Sequence, residues 1–584
     1  MSQNSLNVAL EYHERTKHHF DRYARSLGYL DWATQPNPFR QFEGALRLPL
    51  DEPPLRDEPA YDALFQPGAV AAQPVNRQTI SRLFYHALAL SAWKQAPGTP
   101  PWSLRINPSS GALHPTEGYL VAGPIDGLST VAAVYHYAAH QHELEQRRIL
   151  SAEDWHSFAA QMPPGAVLIG LTSIHWRESW KYGERAFRYC HHDVGHAIAA
   201  VAFAAATLGW QARLVDSLSA DELALLLDTR HQQGPEAEHP DCVLAVFPAC
   251  DRPPAAIDLA WPAALGARLQ RTEPIGVPNR LSRDHQPWPA IDKVALATRR
   301  EPAPRAATCP PAADAAGISA ASSCEDSDLA APPRSVRPLA AEQIIRQRRS
   351  AVALDGQTAL DRDAFYAMLA RLMPASAESA RRPRALPFAT LPWPVHVSLA
   401  LFVHRVGRLA PGLYLLARDL RHATALRGSL RTQFLWQRPD GCPAGLPLWL
   451  LLQADCRPAA RTISCHQAIA ADGVFSLGML AEFEPVLREF GPPAYPRLFW
   501  EAGLIGQVLY LEAEAAGIRG TGIGCFFDDA MHDVLGIRDR RWQTLYHFTV
   551  GGPVDDPRLQ TIPPYAHRTP NRTLAPRTDG LPAV

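Results

Sequence analysis

The stretch YPRLFWEAGLIGQVLYLEAEAAGIRGTGIGCFFDD, residues 495–529, decides how this chain is read. Its first two thirds form a long apolar run with small residues on one face, as expected of a helix packed tightly against another and ended by Gly517 at the C′ position. The glycines that follow look at first like a dinucleotide-binding loop. That fingerprint, however, follows a strand and opens a helix, whereas these glycines follow a helix and run into β-type residues. The segment is therefore a helix C-cap leading to a strand with exposed backbone. Gly522, Ile523 and Gly524 on it can lie flat against a ligand and donate N–H groups.

A second run of the same kind, FRYCHHDVGHAIAAVAFAAATLG, lies at 187–209, with Gly195, Ala205 and Gly209 falling on Gly503, Ala513 and Gly517 at a constant offset of 308. Upstream, LFYHALA (83–89) matches AFYAMLA (364–370), and VYHY (134–137) matches LYLL (413–416). Each match is weak, but their common order argues for an ancient duplication. Each half reads as an amphipathic helix, apolar strands, the long helix and a closing strand (DCVLAVFP, LYHFTVGG). The apolar strand VLIGLTSI of the first half is paired in this reading with LPLWLLLQA of the second. Helices mixed with strands that hairpins alone cannot join imply an α+β fold in two tandem copies. Between the halves, residues 301–338 are rich in Pro, Ala and Ser and lack large apolar side chains, so a linker is expected there. The boundaries are then 1–270 for the first half, 271–340 for the linker, 341–570 for the second half and 571–584 for a tail.

Composition narrows the function. With 584 residues, 47% of them apolar and 20% charged, there is ample material for buried cores. The 57 basic and 58 acidic side chains nearly cancel, which removes any global electrostatic case for nucleic acid or an anionic membrane. Nine cysteines without CxxC spacing suggest reduced thiols. A polar start and no apolar run of about 20 residues give no sign of a signal peptide or membrane span, so a cytoplasmic protein is expected.

Three other segments carry candidate chemistry. In NPSSGALHP (107–115), Pro108, Ser109, Ser110, Gly111 and Ala112 place small residues and hydroxyls just before a strand, where backbone N–H groups can approach a planar ligand or an anion; an ordinary turn is the plainer alternative. In IIRQRRSAVALDG (344–356), Arg348, Arg349 and Ser350 suit phosphate capture, although a charge run is often only a solvated face. In WRESWKYGERAFRYCHHDVGH (176–196), Lys181 beside Tyr182 joins a potential base to a proton donor. His192 and His196 have the i, i+4 spacing of a metal pair, but no third ligand stands at a diagnostic spacing, so no metal site is expected. Cys465 and His466 diverge if helical, which argues against a nucleophile–base dyad.

Taken jointly, PSSGALHPTEGYLV (108–121), WKYGERAFRY (180–189), DVGH (193–196), RQRRS (346–350) and residues 500–529 resemble the nitroreductase superfamily of FMN enzymes, specifically its SagB-type, thiazoline/oxazoline dehydrogenase branch. The resemblance implies noncovalent FMN, with Arg348, Arg349 and Ser350 at the phosphate and Pro108–Ala112 and Gly522–Gly524 along the isoalloxazine. Lys181-Tyr182 stands where azoline dehydrogenases carry a catalytic pair. Val352 replaces a basic residue often found two positions after the serine, which leaves Arg346 or Arg558 to complete the clamp. The function implied is hydride transfer between an organic or peptide substrate, or NAD(P)H, and flavin N5. The alternative is an inactive flavin- or peptide-binding accessory protein of a modification pathway. Because the phosphate and glycine segments lie in one half and Pro108–Ala112 in the other, the resemblance further implies an internal pseudo-dimer with one composite site.

Overall fold

The computed structural model describes residues 3–250, 254–261, 263–302, 339–374 and 384–568. Most of the expected linker, and the tail, lie outside these residues. The helices that matter here are α1 (Gln3–Arg15), α2 (Arg77–Ala87), α3 (His175–Tyr182), α4 (Ala186–Thr207), α5 (Pro289–Ala297), α6 (Arg362–Arg371) and α7 (Ala494–Ala515). The strands of the first half are β1 (Leu46–Pro49), β2 (Leu90–Gln95), β3 (Trp102–Arg105), β4 (Thr116–Ala122), β5 (Ala133–Ala138), β6 (Glu143–Ile149), β7 (Val167–Ser173), β8 (Trp210–Val215) and β9 (His239–Pro248). Those of the second are β10 (Val397–Val403), β11 (Gly412–Leu416), β12 (Leu448–Gln453), β13 (Phe475–Glu482), β14 (Arg519–Ile523), β15 (Trp542–Gly551) and β16 (Gln560–Ile562).

The first sheet has the order β1-β6-β5-β4-β7-β9-β8 and the second β12-β11-β10-β13-β15-β14, every neighbour antiparallel. Without β1 the two orders superpose strand for strand, so the α+β fold is present as two tandem copies. Tyr135 on β5 and Tyr414 on β11, matched in the sequence, occupy corresponding strands. One pairing needs correction: the topology sets β7 against β13, and LPLWLLLQA forms β12, the counterpart of β6. Both second-half strands are apolar enough to satisfy the pattern, and two short helices inserted between β12 and β13 hide the true partner.

Helices α4 and α7 pack against each other between the two sheets, and one continuous hydrophobic cluster contains Ala197, Val201, Leu504 and Val508 together with both sheets' inner faces. Burying a valine or leucine such as Val201, Leu504 or Val508 contributes about 1.5–3 kcal/mol, so the junction between halves is core. The halves are also interleaved. β16, from the end of the second half, pairs with β2 of the first, and β2 with β3. α2 begins with a capping box, in which the Asn76 side chain accepts from the Thr79 N–H and Thr79 Oγ1 accepts from the Asn76 N–H, both 3.0 Å. Part of the segment expected as linker is folded: α5 lies at 289–297, and Trp288, Ile291 and Val294 are buried in the main core. Among the described residues no helix is long and apolar enough to cross a membrane.

Candidate active site

A cavity of about 920 Å³ opens where the halves meet, and it collects segments far apart in sequence. Pro108, Ser109, Ser110, Gly111 and Ala112 form one wall; Arg348, Arg349 and Ser350 with Gly522, Ile523 and Gly524 form another; Tyr182 lies between. Lys181 stands beside it, its ammonium 5.3 Å from the centre of the Tyr182 ring.

The first wall is held by α3 and α4. Gly111, Ala112 and His114 have positive φ (63°, 56° and 52°), a tight turn broken only by Leu113, and glycine at 111 adopts its left-handed conformation without a β-carbon penalty. A β-carbon there would lie 2.7 Å from the Tyr182 hydroxyl. The loop is fastened from below: the Ser110 N–H donates to Asp193 Oδ1 at 3.2 Å, and the His114 N–H to Ser109 Oγ at 2.8 Å. Asp193 and Glu178 are both buried and close enough to interact, and Glu178 Oε2 and Asp193 Oδ2 have no hydrogen-bond partner. Burial, and then the neighbouring charge of Asp193, push Glu178 well up, while burial lifts Asp193 to about 7. The pair therefore holds at least one proton near neutrality.

The second wall is built on α7 and β14. Gly522 and Gly524 leave space for aromatic rings, since β-carbons there would meet the Tyr546 hydroxyl at 1.8 Å and Tyr189 Cε1 at 2.2 Å. The Tyr510 hydroxyl accepts from the Gly522 N–H at 3.0 Å and lies 2.9 Å from Ser350 Oγ. Arg348 is 3% exposed; its Nε and Nη2 donate to the Ile106 and Arg105 carbonyls at 3.1 and 3.0 Å, and its Nη1 has no partner. A buried guanidinium with one donor unmet, in the wall of a cavity, fits an anionic group. The exposed Val352 lines the same region. Neither substitute expected for it reaches the cavity: Arg346 donates to His86 and the Pro53 carbonyl, and Arg558 is held by Asp556. Lys94 and Arg519, which the sequence did not single out, line it instead. Their signal was invisible because Lys94 belongs to β2 of the other half, and Arg519 read only as part of the glycine strand.

His192 stacks on Tyr546 at 4.1 Å, and His196 is 3.3 Å from both Gln507 Oε1 and the Tyr546 hydroxyl. Elsewhere, His396, His422 and Glu482 bring ligand atoms within 4.8 Å of one another, a grouping that spacing could not reveal.

The position related by the internal symmetry holds a smaller cavity of about 350 Å³. Where the large cavity has β14 and the start of α4, this one has Leu214 and Val215 of β8 and Pro496, Arg497 and Trp500 of α7. Arg497 reaches Asp216 at 2.6 Å, and the Trp500 indole N–H donates to His191 at 3.1 Å, so large side chains occupy the space.

Residues 453–552 match the nitroreductase family model. The chain is 31% identical over 108 residues to a nitroreductase-like protein of Methanocaldococcus jannaschii, covering 18% of this chain and 52% of that one. It is 36% identical over 115 residues to the trifolitoxin-processing protein TfxB of Rhizobium leguminosarum bv. trifolii, covering 18% and 29%. The chain thus spans about half of the first relative's length and under a third of the second's. A crystal structure of a nitroreductase-like protein from Anabaena variabilis superposes with a TM-score of 0.64 at 21% identity, over 94% of this chain and 99% of that one. With the nitroreductase family model matching part of its second half and the fold of the Anabaena protein shared over 94% of its length, the chain carries a nitroreductase-like fold in two tandem copies.

Proposed function

We propose that this chain is an FMN-dependent oxidoreductase of the SagB-type, azoline-dehydrogenase-like branch, holding one FMN between its halves. The observation that carries this reading is the buried, unpartnered Arg348 Nη1 in the wall of the cavity of about 920 Å³ that also gathers Pro108–Ala112 and Gly522–Gly524. Arg348, Arg349 and Ser350, with Arg519 and Lys94 nearby, would hold the phosphate. Pro108–Ala112 and the strand 522–524 would border the ring. FMN supplies the hydride acceptor when bound. The protein's part is to position substrate and to move a proton: Lys181 takes it from the substrate carbon, and Tyr182, next to Gly111, orients the lysine and lines the path. The Glu178–Asp193 pair anchors the loop that carries Gly111.

The name of the second relative, a trifolitoxin-processing protein, favours a substrate made in a modification pathway, and NAD(P)H is the other donor to try. Purified protein should be yellow, bleach anaerobically with substrate or NAD(P)H and recover with an acceptor. Colourless protein that cannot be loaded with FMN overturns the enzyme in favour of an accessory protein.

A further inference from the structure

Cys465 and Cys525 are sixty positions apart and fall in segments with no sequence relation, yet their sulfurs lie 2.8 Å from each other. Among the described cysteines they form the pair in contact; Cys190 and Cys242 are buried singly, and Cys250 is exposed. Cys525 directly follows the glycine strand and lines the large cavity. Cys465 sits on a turn after the helix Arg457–Ile463, where two consecutive non-glycine residues, Cys465 and His466, have φ of 52° and 60°. Such backbone is sparsely populated and persists where the surroundings impose it. Here the Phe527 N–H donates to the Ile463 carbonyl at 2.8 Å, and the Gln467 amide donates to the Cys525 carbonyl at 3.0 Å. These bonds clamp the two cysteine segments together from both sides. The hydrogen bond from Cys465, and then the His18 imidazole, bring the Cys525 thiol down to about 5, with the cost carried by a raised Cys465. A thiolate beside a neutral thiol is the arrangement from which disulfide chemistry proceeds.

We infer that Cys465 and Cys525 form a redox-active dithiol–disulfide couple that exchanges electrons with the flavin of the adjacent cavity. The inference rests, for its electron partner, on the FMN reading above. In the oxidising direction the Sγ–Sγ bond forms, the Cys465 S–H bond breaks, and the two electrons and that one proton would pass to the oxidised isoalloxazine to give its reduced anion. In the reverse direction two electrons from the reduced ring cleave the disulfide and one proton is taken up, restoring the Cys465 thiol beside the Cys525 thiolate. The couple gives this chain a second two-electron store beside the first, and a small dithiol or a redox protein becomes a candidate electron donor.

The test uses the full chain and two independent readouts. After diamide treatment, non-reducing peptide mapping by mass spectrometry should find the peptides of Cys465 and Cys525 joined, with a loss of two titratable thiols; Cys465→Ser should abolish the link. The oxidised protein is then loaded with FMN and titrated anaerobically with dithionite. The wild type should take up about four electrons per flavin and Cys465→Ser about two. Absence of the linked peptide, or a two-electron titration of protein in which the link is present at the start and survives flavin bleaching, overturns the inference. A chain that forms the link but cannot be loaded with FMN overturns the electron-transfer step together with the flavin reading, and mapping identifies that case because it needs no flavin.

Discussion

Gly195 and Gly503 face each other where α4 crosses α7, so closely that a β-carbon on Gly195 would lie 2.8 Å from the Gly503 Cα and 2.3 Å from the Trp500 carbonyl oxygen. The reciprocal contact, from Gly503 to the His192 carbonyl oxygen, would be 2.4 Å. Two residues related by the 308-residue offset thus meet at the internal symmetry axis. An added methyl meets backbone, which cannot swing away. Gly195→Ala gains about 0.5–1 kcal/mol of helix propensity but incurs about 1–3 kcal/mol of overpacking, so a net loss of stability is expected in thermal or urea unfolding. Gly428, on an exposed helix with nothing within 4 Å, is the control: Gly428→Ala should stabilise slightly. Equal effects at the two positions would contradict the close crossing.

Lys181→Met should keep the fold and FMN while lowering turnover by about 10²–10⁴-fold, since a proton-transfer group contributes rate without holding the flavin. Flavin content and kcat measured on the same preparation check this. Full activity in the variant would leave Lys181 a packing residue beside Tyr182.

The Glu178–Asp193 pair sets a pH signature. Asp193 is raised to about 7 in the folded chain by burial, far above its unfolded value, so its contribution to stability is complete at acid pH and is lost as pH rises through about 7. Asp241, raised to about 8, and Glu512, raised to about 7, act with the same sign. Buried histidines such as His191 and His196, lowered to about 3, act oppositely but are common to wild type and variant. Asp193→Asn keeps an acceptor for the Ser110 N–H and removes the titration. Between pH 5 and 8 the wild type should lose on the order of 2 kcal/mol relative to the variant; parallel pH profiles in urea unfolding would contradict the pair's proton sharing.

The parts of this molecule that were legible in its sequence are those whose physics is local or repeated. The long helices showed as small-residue apolar runs, and the helix-then-glycine order of 514–529 excluded a Rossmann loop and left β14. The common order of matches such as Phe84–Phe365 and Tyr135–Tyr414 pointed to the duplication. The equivalence of β7 and β13 was misread because period-two apolar patterns do not identify which strand is which. Contacts between segments left no trace: nothing near Glu178 foretells that Asp193 will share its pocket, and Lys94 joins the cavity only because β16 of the second half pairs with β2 of the first. Val352 was legible as a gap in the basic cluster, but Arg346 and Arg558, the local replacements, are held elsewhere by His86 and Asp556.

The central claim is that the duplication has left one composite flavin site, with large side chains such as Arg497 and Trp500 narrowing its counterpart to about 350 Å³. The most direct measurement is flavin released per chain after reconstitution with excess FMN and removal of unbound flavin. One FMN per chain is expected. Arg348→Ala in the second half and Gly111→Val in the first should each bring it close to zero with the fold retained by circular dichroism. Two FMN per chain, or unchanged binding in both variants, would contradict a single site shared between the halves.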